Sequence, residues 1–168
     1  LAREQAHRVN QELIDKLQDE HPRSSHAAAT DHLSGLHNRR QFMENATAAL
    51  VRQRNLRRLM AILFIDMDRF KSINDSLGHK VGDLLLQAVA GRISRALEPE
   101  DQAARFGGDE FVVLLAGDRT EEQIDSWVRA LVAKLSTVYS LDEHEVHTSP
   151  SIGVSICPRD GQEIDDLI

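Results

Sequence analysis

The sequence contains a single cysteine, Cys157, so no disulfide can form within the chain. That fits a reducing compartment, and the position of Cys157 inside the apolar run SIGVSICP predicts a buried, inert thiol. Positive charge is also scarce: 20 Lys and Arg face 27 Asp and Glu, giving a formal net charge of -7. This balance argues against general affinity for nucleic-acid backbones or anionic membrane surfaces, which reward clustered cations. It leaves open a nucleotide held through metal ions. Long apolar runs are missing too: the run Met60 to Ile65 falls far short of the ~20 residues of a membrane span. No signal peptide is expected in this stretch, and no internal repeat or low-complexity segment stands out. The chain starts without Met and stops in EIDDLI, within a helical pattern, so both ends are expected to be cut from something longer.

What is present suffices for one domain: 168 residues, 41% of them hydrophobic. Leu1 to Glu20 is charged and helix-favouring, with Ala2, Ala6, Val9 and Leu13 as a short seam. It reads either as a solvated connector or as a parallel dimer stalk carrying a signal from an upstream module. Pro22 ends it and PRSSHAAAT reads as a hinge, so residues 1–30 form a connector and 31–168 the domain.

Within the domain, a helix is predicted from about Asn38 to Leu56, with Phe42, Ala46, Ala49 and Leu50 on one side. LMAILFIDMD is a central strand buried on both faces, ending in Asp66 and Asp68. Phe70 to Leu97 starts irregularly around Gly78 and Gly82, then becomes a long helix carrying Leu85, Val89, Ile93 and Leu97. The runs QAARF and FVVLLAG flank Gly107-Gly108-Asp109-Glu110 as a hairpin. Thr120 or Asp118 caps a helix striped by Ile124, Trp127, Val128, Leu131 and Leu135, and SPSIGVSICP is a last strand. This order specifies an α/β (α+β) sandwich with a ferredoxin-like β-α-β-β-α-β core and a mostly antiparallel sheet. In that topology the first strand lies beside the hairpin, where Asp66 can meet Asp109 and Glu110.

Such a trio suits magnesium, which takes oxygen ligands and shares them with substrate phosphates; crowded acids make sense mainly around a cation. With two metals, one activates a hydroxyl while the other stabilises a leaving phosphate oxygen. Gly107 and Gly108 permit positive φ and close backbone approach, though Gly-Gly is also a plain turn. Asp68 reads as a helix cap, and His79 as a cap or turn residue rather than a ligand. Lys71, near a helix start, suits phosphates. Asn74 and Asp83 suit a purine edge, a carboxylate favouring the N1-H and 2-amino group of guanine; each also reads as ordinary solvated surface.

Together these stretches resemble the GGDEF-domain diguanylate cyclases, bacterial enzymes that condense two GTP into cyclic di-GMP. The resemblance runs through DHLSGLHNRRQF, FIDMDRFKSINDSLGHKVGDLLL, ARFGGDEFVVLL and SIGVSICPRDG, about four fifths of the chain. It implies that Asp66 and Glu110 bind metal with help from the Met67 carbonyl, and that Asp109 binds metal or deprotonates the 3'-hydroxyl. It implies triphosphate contacts from Lys71 and nearby backbone N-H groups, such as that of Phe70, GTP contacts at Gly107 and Gly108, and guanine contacts from Asn74 and Asp83. Further implications are a palm-like sheet shared with polymerases and class III nucleotide cyclases, two Mg2+ (or Mn2+) ions per site, and an antiparallel homodimer. An upstream sensor or HAMP-like module and a cytoplasmic domain, tethered in the complete protein to the inner membrane, are also expected, with no nucleic acid and no direct membrane contact.

Two departures stand out. The family's inhibitory Arg-x-x-Asp site has Glu98 in place of its arginine, while Asp101 supplies the aspartate and Arg95 lies too early, so weak or absent product inhibition is expected. The chain also stops at Ile168, before the helix whose cations contact the phosphates in the family. The alternative is a non-catalytic GTP-binding module beside a cyclic di-GMP phosphodiesterase; a cyclase making a cyclic mononucleotide is a distant third. The complete signature favours the enzyme.

Overall fold

A computed structural model describes residues 29–168; the expected connector helix lies outside them. Helix α1 (Arg39–Asn55) starts where the Asn38 side chain accepts the Gln41 N-H at 2.9 Å, leaving Arg52 and Arg54 near its negative end. Phe42, Ala46, Ala49 and Leu50 are buried as the spacing predicts. Gln53 is buried beside them, its Nε2 donating to the carbonyls of Leu59 and Gly117, both at 2.9 Å. A polar residue therefore ties the end of α1 to both neighbouring strand ends.

Strand β1 (Met60–Met67) follows. Ala61, Leu63, Ile65 and Met67 face one core, while Met60 and Ile62 face the other. The second face opens towards its end, where Phe64 is half-buried and Asp66 exposed. Between α2 (Phe70–Leu77) and α3 (His79–Ala96) the chain bends only at Gly78, with φ 89. This corrects the expected irregular stretch: residues 70–77 are regular helix, and Gly82 sits inside α3. Strands β2 (Gln102–Gly107) and β3 (Glu110–Leu115) form the hairpin. Helix α4 (Glu121–Leu135) is capped by Thr120, not Asp118, in a reciprocal capping box with Gln123.

A small hairpin of β4 (Tyr139–Leu141) and β5 (His144–Val146) was not anticipated; its turn uses Asp142 at φ 52. Strand β6 (Pro150–Cys157) and a short helix α5 (Ile164–Leu167) complete the domain. Cys157 is buried, and that burial raises its thiol pKa.

The main sheet runs β2-β3-β1-β6 with every neighbouring pair antiparallel, which is the ferredoxin-like order. α3 and α4 pack one face through Leu85, Val89, Ile93, Ile124, Leu131 and Leu135. α1 covers part of the other through Phe42, Ala46 and Leu50. Because α1 covers the Met60 end of β1, the Asp66 end of that face remains open.

Candidate active site

The hairpin turn needs its glycines for backbone conformation: Gly107 has φ 142 and Gly108 φ 49, and a Cβ on either would meet nothing within 4 Å. The turn is also strapped from outside. Arg105 Nε donates to the Gly108 carbonyl at 2.9 Å, and its Nη1 reaches both carboxylate oxygens of Asp31 at 3.0 and 3.1 Å. Burial opposes the charge on Asp31, but hydrogen bonds from Ser34 and Arg105 outweigh it and hold the carboxyl below its usual range. Asp31 thereby joins the start of the domain to the signature turn.

Sheet register brings the predicted acids together. Asp66 stands directly across from Glu110 on β3 and from Ser151 on β6, so all three side chains belong to the open face. With Phe64, Ile65, Ile152 and Gly153 they line a shallow hollow of about 410 Å³. The Asp66 carboxyl is pushed up to about 6, first by its hydrogen bond to Asp109, then by burial and by the charges of Asp109 and Asp68. The Met67 backbone N-H pulls the other way. Two carboxyls held this close offer a set of oxygen donors suited to a hard cation. Among the described residues no three His, Cys, Asp or Glu side chains already converge as a metal group. Asp66 and Asp109 are in contact, and Glu110 follows on the adjacent strand.

Asp68 does not cap α2. Its oxygens accept from the Ser149 hydroxyl at 2.8 Å and the Ser151 hydroxyl at 2.7 Å, which lower its pKa, and the cap position is Arg69 at φ 58. Among the described residues no side chain caps α2, so its first-turn N-H groups, beginning at Phe70, are left beside the exposed Lys71. Asn74 is half-buried on α2, whereas Asp83 and His79 are exposed on α3.

The predicted inhibitory pair is engaged elsewhere. The Asp101 side chain is fully buried and accepts from Glu98 N at 2.8 Å, Ala116 N at 3.2 Å, and Arg119 Nη1 and Nη2 at 2.6 and 2.9 Å. Glu98 binds the same guanidinium at 2.8 Å. Sequence reasoning missed Arg119, which has no motif spacing to mark it, and assigned no role to Asp31 or Arg105.

The raised Asp66 pKa has a measurable consequence. An acid whose folded pKa is raised contributes stability that is fully present below its unfolded value and lost as pH rises through about 6. Asp66→Asn, which removes the like-charge contact, is expected to raise the metal-free Tm at pH 7.5 and to change it little at pH 5. Mg2+ should stabilise the parent protein more than this variant at pH 7.5. Thermal melts at both pH values check this, and equal effects of the substitution at the two would exclude the raised pKa of Asp66.

Residues 28–168 match the family model described as diguanylate cyclase, GGDEF domain. The chain is 40% identical over 145 residues to the diguanylate cyclase TpbB of Pseudomonas aeruginosa, covering 86% of this chain and 33% of that protein. It is 37% identical to the bifunctional diguanylate cyclase/cyclic di-GMP phosphodiesterase MucR of the same organism, covering 96% of this chain and 22% of MucR. It therefore spans a third or less of either relative's length. The solved GGDEF domain of TpbB superposes with a TM-score of 0.80 at 37% identity, covering 82% of this chain and 81% of that one. The strand order, the signature turn and these matches agree: the chain belongs to the GGDEF-domain family of diguanylate cyclases.

Proposed function

We propose that this domain is a diguanylate cyclase, joining two GTP into cyclic di-GMP with release of two pyrophosphates. The observation that carries this reading is the intact acidic constellation: Asp66 across from Glu110 and hydrogen-bonded to Asp109, at an open sheet end beside the start of α2. Asp66, Asp109, Glu110 and the Met67 carbonyl would hold Mg2+ or Mn2+, two ions per site. Those ions, when bound, offset triphosphate charge and make the 3'-hydroxyl more acidic.

The chain's own groups supply positioning and electrostatics. Lys71 and the first N-H groups of α2, including that of Phe70, bind the triphosphate; Gly107 and Gly108 let the turn approach it. Asn74 and Asp83 hold the guanine. One domain binds one GTP, so two copies face each other antiparallel. Each 3'-oxygen then attacks the α-phosphorus of the opposite GTP as the bond to pyrophosphate breaks, and Asp109 accepts the hydroxyl proton.

Product inhibition through the Arg-x-x-Asp position is weak or absent in this reading. Glu98 repels a phosphate, and Asp101 is consumed by Arg119 and two backbone N-H groups. An upstream sensory partner and a cytoplasmic domain tethered to the inner membrane in the complete protein belong to the same proposal. Among the described residues no helix is long and apolar enough to cross a membrane.

The test is to incubate the full-length protein with GTP and Mg2+ and separate the products by mass. Cyclic di-GMP is expected. Its absence from a preparation shown to be dimeric would overturn the reading, and GTP binding without turnover would favour a regulatory module. That second reading draws on relatives such as the cyclic di-GMP phosphodiesterase NbdA of P. aeruginosa, of which this chain spans 20%.

A further inference from the structure

Gly82 differs from the turn glycines. It is buried inside α3 rather than held at positive φ, so its backbone does not require glycine, and glycine weakens a helix interior relative to alanine. What occupies the space of its missing side chain is a single residue, Asn74. A Cβ at Gly82 would lie 1.7 Å from Asn74 Oδ1, 2.8 Å from Cγ and 3.4 Å from Nδ2. Among the described residues that Oδ1 is buried without a hydrogen-bond partner. The fold thus accepts a weaker helix position and an unsatisfied acceptor in order to seat one carboxamide against the residue preceding Asp83.

We propose that Gly82 is a positioning residue for purine selection: its lack of a Cβ lets the Asn74 carboxamide lie across the start of α3, so that Asn74 and Asp83 meet guanine together. This rests on the GTP reading above. A carboxylate accepts the N1-H and 2-amino hydrogens of guanine, and with Oδ1 turned in against Gly82 the Asn74 carboxamide keeps its Nδ2 hydrogens to donate to an acceptor of the base. With the seat filled, Asn74 is displaced. The recognition then falls to Asp83 alone.

The test measures equilibrium binding of 3'-deoxy-GTP, which lacks the attacking hydroxyl and cannot turn over, with Mg2+ and the full-length protein. Competition by ITP, which lacks the 2-amino group, reads base selectivity. Gly82→Ala is expected to weaken binding by about tenfold and to narrow the preference over ITP, with Tm equal to or above the parent. Asn74→Ala should weaken binding comparably. The double variant should be no weaker than either single one, because a seat has no role without its occupant. Parent-like binding by Gly82→Ala, with Asn74→Ala impaired, overturns the inference and leaves the GTP reading standing, as do losses that multiply in the double variant. Parent-like binding by both Asn74→Ala and Asp83→Ala overturns the guanine assignment itself, and the inference with it. If Gly82→Ala alone misfolds, the double variant, freed of the clash, must recover the fold; its failure to do so also overturns the inference.

Discussion

Glu110→Ala is expected to lower cyclic di-GMP formation by about a thousandfold or more, since one electrostatic stabiliser of a transition state typically contributes 10² to 10³ and this position also holds metal in the proposed mechanism. The fold should tolerate the change. Glu110 is exposed, begins β3 immediately after the turn, and makes no ion pair among the described residues. Surface substitutions of this kind typically move stability by ~0.5 kcal/mol or less. The measurement is product by mass alongside a thermal melt: near-parental turnover would remove Glu110 from the site, and loss of folding would make the turn structural. Asp109→Ala is the companion variant. It should likewise remove turnover and, by taking away the hydrogen-bond partner, return Asp66 towards its ordinary range.

Arg119→Ala is expected to cost about 3–5 kcal/mol of stability, because it leaves the fully buried Asp101 carboxylate without its cation. Against a total stability of roughly 5–15 kcal/mol this is severe. It should lower Tm by roughly 10 °C in a domain of this size. The guanidinium itself is held even more firmly protonated than usual: burial disfavours its charge, but Asp101 and Glu98 outweigh that. Replacing both partners, as in Asp101→Asn with Arg119→Met, should recover much of the loss. Denaturant melts of the two variants test this, and a single Arg119→Ala within 1 kcal/mol of the parent would show the pair to be dispensable. The same geometry decides how product binding should be probed. Asp101→Ala disturbs the β2–α4 corner as a whole, whereas Glu98 is 65% exposed at its side chain and can be replaced without unfolding the domain. Glu98→Ala is therefore the cleaner variant for cyclic di-GMP titrations.

Much of the fold was legible because its signals are local. The period of Phe42, Ala46, Ala49 and Leu50, the apolar run to Ile65 and the Thr120 start signal depend on near neighbours, and each element formed within a residue or two of expectation. The regular helix Phe70–Leu77 and two short strands escaped. β4 and β5 are three residues each, too brief for alternation to register, and their turn carries no glycine. Gln53 was invisible as a core residue because its burial depends on carbonyls at the ends of other elements, Leu59 and Gly117.

The site divides along the same line. Residue types and spacing by themselves determined that Asp66, Asp109 and Glu110 would be candidates, since strand order alone sets β1 against the hairpin. Only the tertiary structure decided that Asp66 and Asp109 come into contact, that Arg105 straps Asp31 to the turn, that Arg119 occupies Asp101, and that Asn74 rests on Gly82. The physical reason is range. Helix and strand patterns follow from the periodicity of the backbone, whereas hydrogen bonds and charge contacts fall off within a few ångströms. They exist only once packing has brought distant residues such as Asp31 and Arg105 into reach.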